Sequence, residues 1–287
     1  MLLNLNIIRP ENIFLIILGF IWIIGAILQD LKRREIDNFW NFSLIAIALV
    51  YRLSISVLKN DFSFILYGIG GFLVFLIIGY LFYYLKLFGG GDTKLLIALG
   101  TILPFSNNLI ISLKLLFYFV LLLLISGSIY SLIYAFVLSI LKRKKFAKEF
   151  IRQFKINKKL LFLGIIIFGL FEIIGLISNQ ISFILLGAII LLFPILFIFS
   201  KSIEESCLIK KISPLKIKEG DWLYKNIKVN KKIIKANWQG ISEKELKLIQ
   251  KKYKKNILIK QGVPFAPSFL IALILLILLV FNLGFLF

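Results

Sequence analysis

Residues 109–141 read LIISLKLLFYFVLLLLISGSIYSLIYAFVLSIL, a stretch in which Lys114 is the only charged side chain. A bilayer crossing needs about 20 mostly apolar residues, so this stretch is long enough to span a membrane. The rest of the chain has the same character, because its 287 residues are 60% hydrophobic and only 17% charged. Ordinary soluble domains are about 45–50% apolar. The sequence therefore predicts an all-α polytopic membrane protein.

Similar apolar runs recur along the whole chain. The eight runs cover residues 13–29, 39–58, 62–85, 94–104, 109–141, 160–178, 181–200 and 267–287. The fourth run is too short to cross hydrocarbon alone, so we expect a buried or tilted helix whose start is open to water. The first run lacks a basic stretch before it and a small-residue cleavage site after it, which argues against a cleaved signal peptide. We therefore expect about eight transmembrane helices.

The segment before the last run has the composition of a small folded α/β unit. It contains strand-like stretches at 221–224, 233–236 and 257–260, and a capping box, Ser242-Glu-Lys-Glu245, that opens a helix to about Tyr253. In the basic stretch 142–159 we expect a solvated linker rather than an amphipathic surface helix. The predicted domains are a membrane domain at 1–141, the basic linker with two further transmembrane helices at 142–200, a small cytoplasmic α/β unit at 201–265 and a C-terminal transmembrane helix at 266–287.

The basic residues indicate how the chain is oriented in the membrane. Of the 35 Lys and Arg residues, 31 lie in the segments 30–38, 86–94, 142–159 and 201–265, which alternate with nearly uncharged loops. Because Lys and Arg are retained on the cytoplasmic side, we place these segments in the cytoplasm and both termini outside. Arg52 lies near the outer end of its run. The net charge of +21 then does not indicate a nucleic-acid partner. The membrane topology and the anionic inner leaflet of the lipid bilayer account for this positive charge.

The scarcity of histidine and cysteine excludes several kinds of catalytic site. The chain has no histidine, and Cys207 is its single cysteine. Histidine-based triads, HExxH metalloprotease sites, haem sites with histidine ligands, multi-cysteine zinc sites and disulfide frameworks are therefore excluded. We expect neither a metal nor a cofactor. Hydrolytic chemistry must rest on carboxylates, hydroxyls or lysine.

Acidic residues inside membrane segments are costly, so they are the first candidates for chemistry. Eleven of the fourteen acids lie in loops, in the small unit or before the first run, which leaves Asp30, Asp92 and Glu172. Glu172 lies near the outer end of its run, where we expect it to snorkel or take a helix partner. Asp30 ends the first run and Asp92 precedes the fourth at the same predicted surface. Their carboxyl groups can therefore share one depth.

Asp92 lies within the glycine-rich segment Gly89-Gly-Gly-Asp-Thr-Lys94. Three glycines remove side-chain bulk, so an extended peptide backbone could approach closely. At Gly91 we expect either this close approach of a substrate or a positive φ. The segment could instead bind an anion at a helix N-terminus, but the longer spacing and the Gly-Lys-Ser/Thr of the usual phosphate loop are absent. The segment therefore favours a peptide substrate.

Several motifs carry a resemblance to a known family. Gly89-Gly-Gly-Asp92, with Lys94 and two leucines after it, resembles the GxGD signature of the type IV prepilin peptidases, aspartic proteases of family A24. Asp30-Leu-Lys-Arg-Arg-Glu-Ile-Asp-Asn38 resembles the stretch that contains the family's first catalytic aspartate. Glu219-Gly-Asp-Trp222 and Gly262-Val-Pro-Phe-Ala-Pro-Ser268 resemble the archaeal branch, the preflagellin and prepilin peptidases. Bacterial members have proline where this chain has Asp37, and a tetracysteine zinc loop that a single cysteine cannot supply.

The resemblance implies a membrane-embedded aspartic endopeptidase whose active site faces the cytoplasm. Its substrates would be prepilins or prearchaellins, with a short basic leader, a small residue before the cut and a hydrophobic helix after it. Two facing carboxyls do not both ionise readily, so one can act as acid and the other as base. The candidate residues are Asp30 and Asp92 for catalysis, with Asp37 as the alternative to Asp30, and Gly89, Gly91, Lys94, Glu35 and Asp37 for substrate contact.

Two other classes of function remain open from the sequence. A presenilin-like intramembrane protease would also use two aspartates, but is expected to place the first in a Tyr-Asp pair, whereas Gln29 precedes Asp30. A transporter or assembly scaffold would use the acids for ion coupling or packing. A transporter should show paired broken helices in its two halves, and only one short helix is predicted here.

Overall fold

A computed structural model describes residues 10–106, 108–229, 232–237 and 240–282. The chain divides into two compact units, Met1–Leu132 with Pro264–Phe287, and Ile133–Val263. The α-helices of the described residues are, in chain order, α1 (Pro10–Arg33), α2 (Asn38–Lys59), α3 (Ser63–Tyr84), α4 (Gly90–Gly100), α5 (Leu109–Leu141), α6 (Arg143–Ile156), α7 (Lys158–Ser178), α8 (Ile181–Cys207), α9 (Glu243–Lys252) and α10 (Ala266–Asn282). The strands are β1 (Ile209–Ile212), β2 (Trp222–Leu223), β3 (Ile227–Val229), β4 (Lys232–Ile234) and β5 (Ile257–Lys260).

Each predicted apolar run coincides with a helix. Among the described residues, six helices are long and apolar enough to cross a membrane, namely α1, α2, α3, α5, α7 and α8. The short fourth run is α4, which has 11 residues, and the last run corresponds to α10. The end of that run, residues 283–287, lies outside the described part of the chain. The prediction of a mostly helical, polytopic membrane protein is therefore confirmed.

The expectation of a solvated linker at 142–159 is wrong. Residues Arg143–Ile156 form the helix α6. The Phe146 ring contacts the rings of Phe150 and of Phe199 on α8, at centroid distances of 5.6 and 5.5 Å. Phe146 and Phe150 are four residues apart, which is helical spacing. The contact of Phe146 with α8 then favours a helix over an extended chain in water.

Helix α4 is short because its neighbours bury it. The side chains of Leu95, Leu96 and Leu99 are at most 1% exposed. Close packing against α3 depends on two glycines, since a Cβ added to Gly71 would lie 2.2 Å from the carbonyl oxygen of Gly100. The two backbones therefore meet directly, and α4 needs no bilayer-spanning length of its own.

Arg52 on α2 holds the chain that follows α4. Its side chain is fully buried, and the guanidinium donates to the carbonyl oxygens of Thr101 at 2.7 Å, Ile102 at 2.9 Å and Pro104 at 2.7 Å. A fourth bond reaches the carbonyl oxygen of Phe64 at 2.8 Å. A cation at this place complements the negative end of the α4 dipole and supplies donors to carbonyl groups of buried residues. The sequence placed Arg52 near the outer end of its helix without predicting this role.

The second unit contains the small sheet that the sequence predicted. Strand β5 lies between β1 and β2, and both pairings are antiparallel. Strands β3 and β4 form a separate antiparallel pair. The predicted strands at 221–224, 233–236 and 257–260 correspond to β2, β4 and β5, and the capping box at Ser242 opens α9 as expected. The short strands β1 and β3 were not predicted, because β1 has two adjacent lysines that interrupt the alternation and β3 has only three residues.

Candidate active site

Asp30 lies in the last turn of α1, and its carboxylate meets the start of α10. The side chain is only 7% exposed. Its Oδ2 accepts the backbone N–H of Ala266 at 3.0 Å, and the backbone N–H of Phe265 also donates to this carboxylate. The guanidinium of Arg34 is the nearby positive charge. A carboxylate at a helix N-terminus is favourably placed, because the first N–H groups of a helix have no partners within it.

Asp92 lies in the first turn of α4. Gly89 precedes the helix with extended backbone angles, φ −71° and ψ 162°, and its N–H donates to the carboxylate of Asp92. The carboxyl group of Asp92 interacts electrostatically with that of Asp30. The structure therefore brings together the two carboxyls that the sequence paired, each beside the N-terminus of a helix. Their catalytic role stays a prediction.

Asp37, the alternative first aspartate, is engaged elsewhere. Its Oδ2 lies 2.6 Å from Nη2 of Arg33 in a solvent-exposed ion pair. Its backbone N–H donates to Oε1 of Gln29 at 2.9 Å. Glu35 is half-buried in the connection between α1 and α2. Among the described residues, Asp30 is therefore the acid that interacts with Asp92, and substrate contact by Glu35 and Asp37 remains a prediction.

Lys94 connects the start of α4 to the start of α2. Its Nζ donates to Oδ1 of Asn38 at 2.5 Å. The bond fixes the first turn of α4, which carries Asp92, against the segment that follows Asp30 and Asp37. A contact between Lys94 and a substrate stays a prediction.

The glycine segment differs from what the sequence predicted. Gly90 and Gly91 already belong to α4, and neither has a positive φ. A Cβ added to Gly91 would lie 3.3 Å from the backbone nitrogen of Ile36. The expectation of a positive φ at Gly91 is therefore wrong, and the close approach at this position comes from the connection between α1 and α2. A Cβ on Gly89 would lie 3.2 Å from Oδ2 of Asp92, whereas at Gly90 the nearest atom would be 4.0 Å away.

An aromatic cluster joins the two segments that hold the aspartates. Phe88, which precedes Gly89, has its ring centroid 5.1 Å from those of both Phe82 and Phe265. Phe269 lies 6.0 Å from Phe265. Gly127 on α5 provides the slot for this ring, because a Cβ there would come within 2.4 Å of Phe265. Sequence reasoning missed the cluster, since nothing in the chain indicated that 88 and 265 would meet.

The acidic side chains of the described residues do not form a metal site. Within the ranges that the structure describes, no group of three or more His, Cys, Asp or Glu side chains could hold a metal ion. Glu172, the third membrane acid, is half-buried in α7 of the second unit. The first unit thus presents two interacting carboxyls, which can exchange protons with a bound water and a carbonyl group.

Comparisons with known proteins found similar sequences. Residues 17–141 match the model of the type IV leader peptidase family, and this range contains both Asp30 and Asp92. A preflagellin peptidase of Methanocaldococcus jannaschii is 34% identical over 91 residues, which are 32% of this chain and 38% of that protein. Preflagellin peptidases of Methanococcus voltae and Methanococcus maripaludis are also 34% identical, over 87 and 88 residues, or 30% and 31% of this chain and 37% and 38% of the relatives.

The chain therefore matches well under half the length of these curated relatives. No solved structure matches it. The matches do not favour a presenilin-like protease, a transporter or a scaffold.

Proposed function

We propose that this chain, whose residues 17–141 match the model of the type IV leader peptidase family, is a membrane-embedded aspartic endopeptidase. It removes the short basic leader peptide from precursors of type IV pilin-like proteins or archaellins. The observation that carries the proposal is the pairing of Asp30 with Asp92 inside the segment that matches the family. Both side chains come from helix ends, where backbone N–H groups hold them.

The pair supplies an acid and a base without histidine. One carboxylate takes a proton from a water molecule as the water oxygen attacks the scissile carbonyl carbon, while the protonated carboxyl donates its proton to the carbonyl oxygen. In the resulting diol intermediate, one hydroxyl group returns a proton to the aspartate that had protonated the carbonyl oxygen. The amine leaves with the proton taken from water, and the C–N bond breaks. Each aspartate is thereby restored.

The placement of the site in the membrane extends the proposal. We assign eight membrane segments, the six long helices with α4 and α10, and we place the basic segments in the cytoplasm of a cell-membrane protein. Asp30 precedes Lys32, Arg33 and Arg34, so in this orientation the pair lies at the cytoplasmic face. By the same rule we place the segment 201–265 in the cytoplasm. A substrate with a basic leader and an apolar helix would be cut where its chain enters the membrane.

Substrate contacts are assigned to the residues around the pair. Glu35 and Asp37 lie in the connection that follows Asp30, where acidic groups complement a basic leader. Gly89 and Lys94 flank Asp92, and Gly91 allows the Ile36 backbone to approach α4. This assignment places the leader along the connection between α1 and α2.

Incubation of the purified chain in detergent with a prearchaellin and, separately, a type IV prepilin tests the activity. The expected result is one new N-terminus just after the short basic leader, identified by N-terminal sequencing of the product. A control precursor with a bulky residue in place of the small residue before the cut should stay intact. Absence of cleavage of both precursors, or cuts within the hydrophobic helix, would contradict the proposal.

A further inference from the structure

We infer that Asp30 is the member of the pair that carries the negative charge and acts as the base, because the start of α10 is built around its carboxylate. Asp92 is then the proton-bearing acid. The inference rests on the proposed peptidase function and deepens it. It also gives α10 a role in the site, although α10 lies outside the segment that matches the family.

The backbone donors on Asp30 favour its ionised form. Ala266 begins α10 and donates to Oδ2 at 3.0 Å, and Phe265 supplies a second backbone N–H. A helix start is usually capped by an acceptor side chain of the preceding residue, but phenylalanine has none. An ionised carboxylate offers acceptors to both N–H groups, and bonds to a charged acceptor are stronger than neutral ones.

The charges around the pair also favour ionisation of Asp30 over ionisation of Asp92. The charge of Arg34, the residue after α1, acts on Asp30, and Asp92 faces it from α4. Helix α10 contributes no charged side chain within Ala266–Asn282. Asp92 accepts a bond from the backbone of Gly89 and faces the negative charge of Asp30. When one of the two carboxyls is ionised, the surroundings therefore place the charge on Asp30.

The donors are held firmly enough to maintain this asymmetry. The Phe265 ring is fixed by Phe88 and by the slot at Gly127. One turn further, the hydroxyl of Ser126 on α5 donates to the carbonyl oxygen of Ser268 at 3.2 Å. Ala266 itself is fully buried. The start of α10 is therefore a positioning element for Asp30, and it acts through backbone N–H groups rather than through a side chain.

Replacing the first residue of α10 tests the inference. Ala266→Pro removes the N–H, while proline suits the first position of a helix. Ala266→Gly is the matched control, because it keeps the N–H. Leader cleavage is measured as kcat/KM against pH. With Ala266→Pro, we expect the low-pH limb of the profile to move to higher pH by about one unit, as loss of one bond to a charged group predicts.

The control variant Ala266→Gly should leave the low-pH limb where the wild type has it, whatever its rate. The inference would be overturned if the low-pH limb of the Ala266→Pro profile did not move, or if kcat/KM fell by the same factor at every pH. If Ala266→Pro does not fold, Arg34→Gln provides a second test, with Arg33→Gln as its control since Arg33 pairs with Asp37. Arg34→Gln should move the low-pH limb to higher pH, and Arg33→Gln should not. Identical pH profiles for these two variants would overturn the inference. Failure of the wild type to cleave would instead contradict the proposed function.

Discussion

The guanidinium of Arg52 on α2 donates to the carbonyl oxygen of Thr101, at the end of α4, over 2.7 Å. The opposite end of the same helix carries Asp92, which is held by the N–H of Gly89. One buried cation thus fixes the far end of the short helix whose first turn presents a candidate catalytic carboxyl. Because α4 spans only 11 residues, we expect a change in its contacts at Thr101 to affect the placement of Asp92.

Replacing Arg52 should therefore damage both stability and activity. Arg52→Met would leave the carbonyls of Thr101, Ile102 and Pro104 without a donor, at a cost of about 3 kcal/mol or more. Thermal unfolding in detergent should show a clearly lower Tm, and cleavage should fall with it. Arg52→Lys, which keeps the charge but has fewer donors, should lie between the two. A Tm and a cleavage rate equal to those of the wild type in Arg52→Met would contradict this role.

The glycine segment predicts a contrast between neighbouring positions. Gly91→Val would push a branched side chain against the backbone nitrogen of Ile36, 3.3 Å from the position of the new Cβ. We expect most cleavage to be lost although both aspartates remain, with a stability cost of about 1–3 kcal/mol. In Gly90→Ala the new Cβ would have its nearest neighbour, the Tyr83 ring, 4.0 Å away, so this variant should keep most activity. Cleavage rates and Tm values of Gly91→Val, Gly90→Ala and a third variant, Gly90→Val, give the comparison. Equal tolerance of valine at both positions would refute the packing argument.

Much of this fold was predictable because apolar runs of bilayer length have few alternatives to a helix. Helix α5 coincides with its run, and the capping box at Ser242 predicted the start of α9. The contacts around the site were not predictable, because they join segments distant in sequence. Asp30 and Ala266 are 236 residues apart, and Arg52 meets Pro104 over 52 residues. A basic residue in an apolar run indicates orientation, and only tertiary structure shows which carbonyls it satisfies.

Metal chelators should leave cleavage unchanged. The proposed chemistry uses two carboxyls, and two aspartates are too few ligands to hold a catalytic zinc ion alone. The test is the rate of leader removal before and after incubation with EDTA, followed by dialysis. A loss of activity that a divalent ion restores would show that the reaction needs a metal.

The most direct test of the account is the rate of precursor cleavage by Asp30→Asn and Asp92→Asn, with Glu172→Gln as a control for loss of a membrane acid outside the pair. Each asparagine variant should insert normally and lose at least about 100-fold in rate, since each removes an acid or a base. Glu172→Gln should cleave at the wild-type rate. Full activity in either asparagine variant would contradict the aspartyl mechanism. Full activity in Asp30→Asn with loss in Asp37→Asn would show that Asp37 is the first catalytic residue.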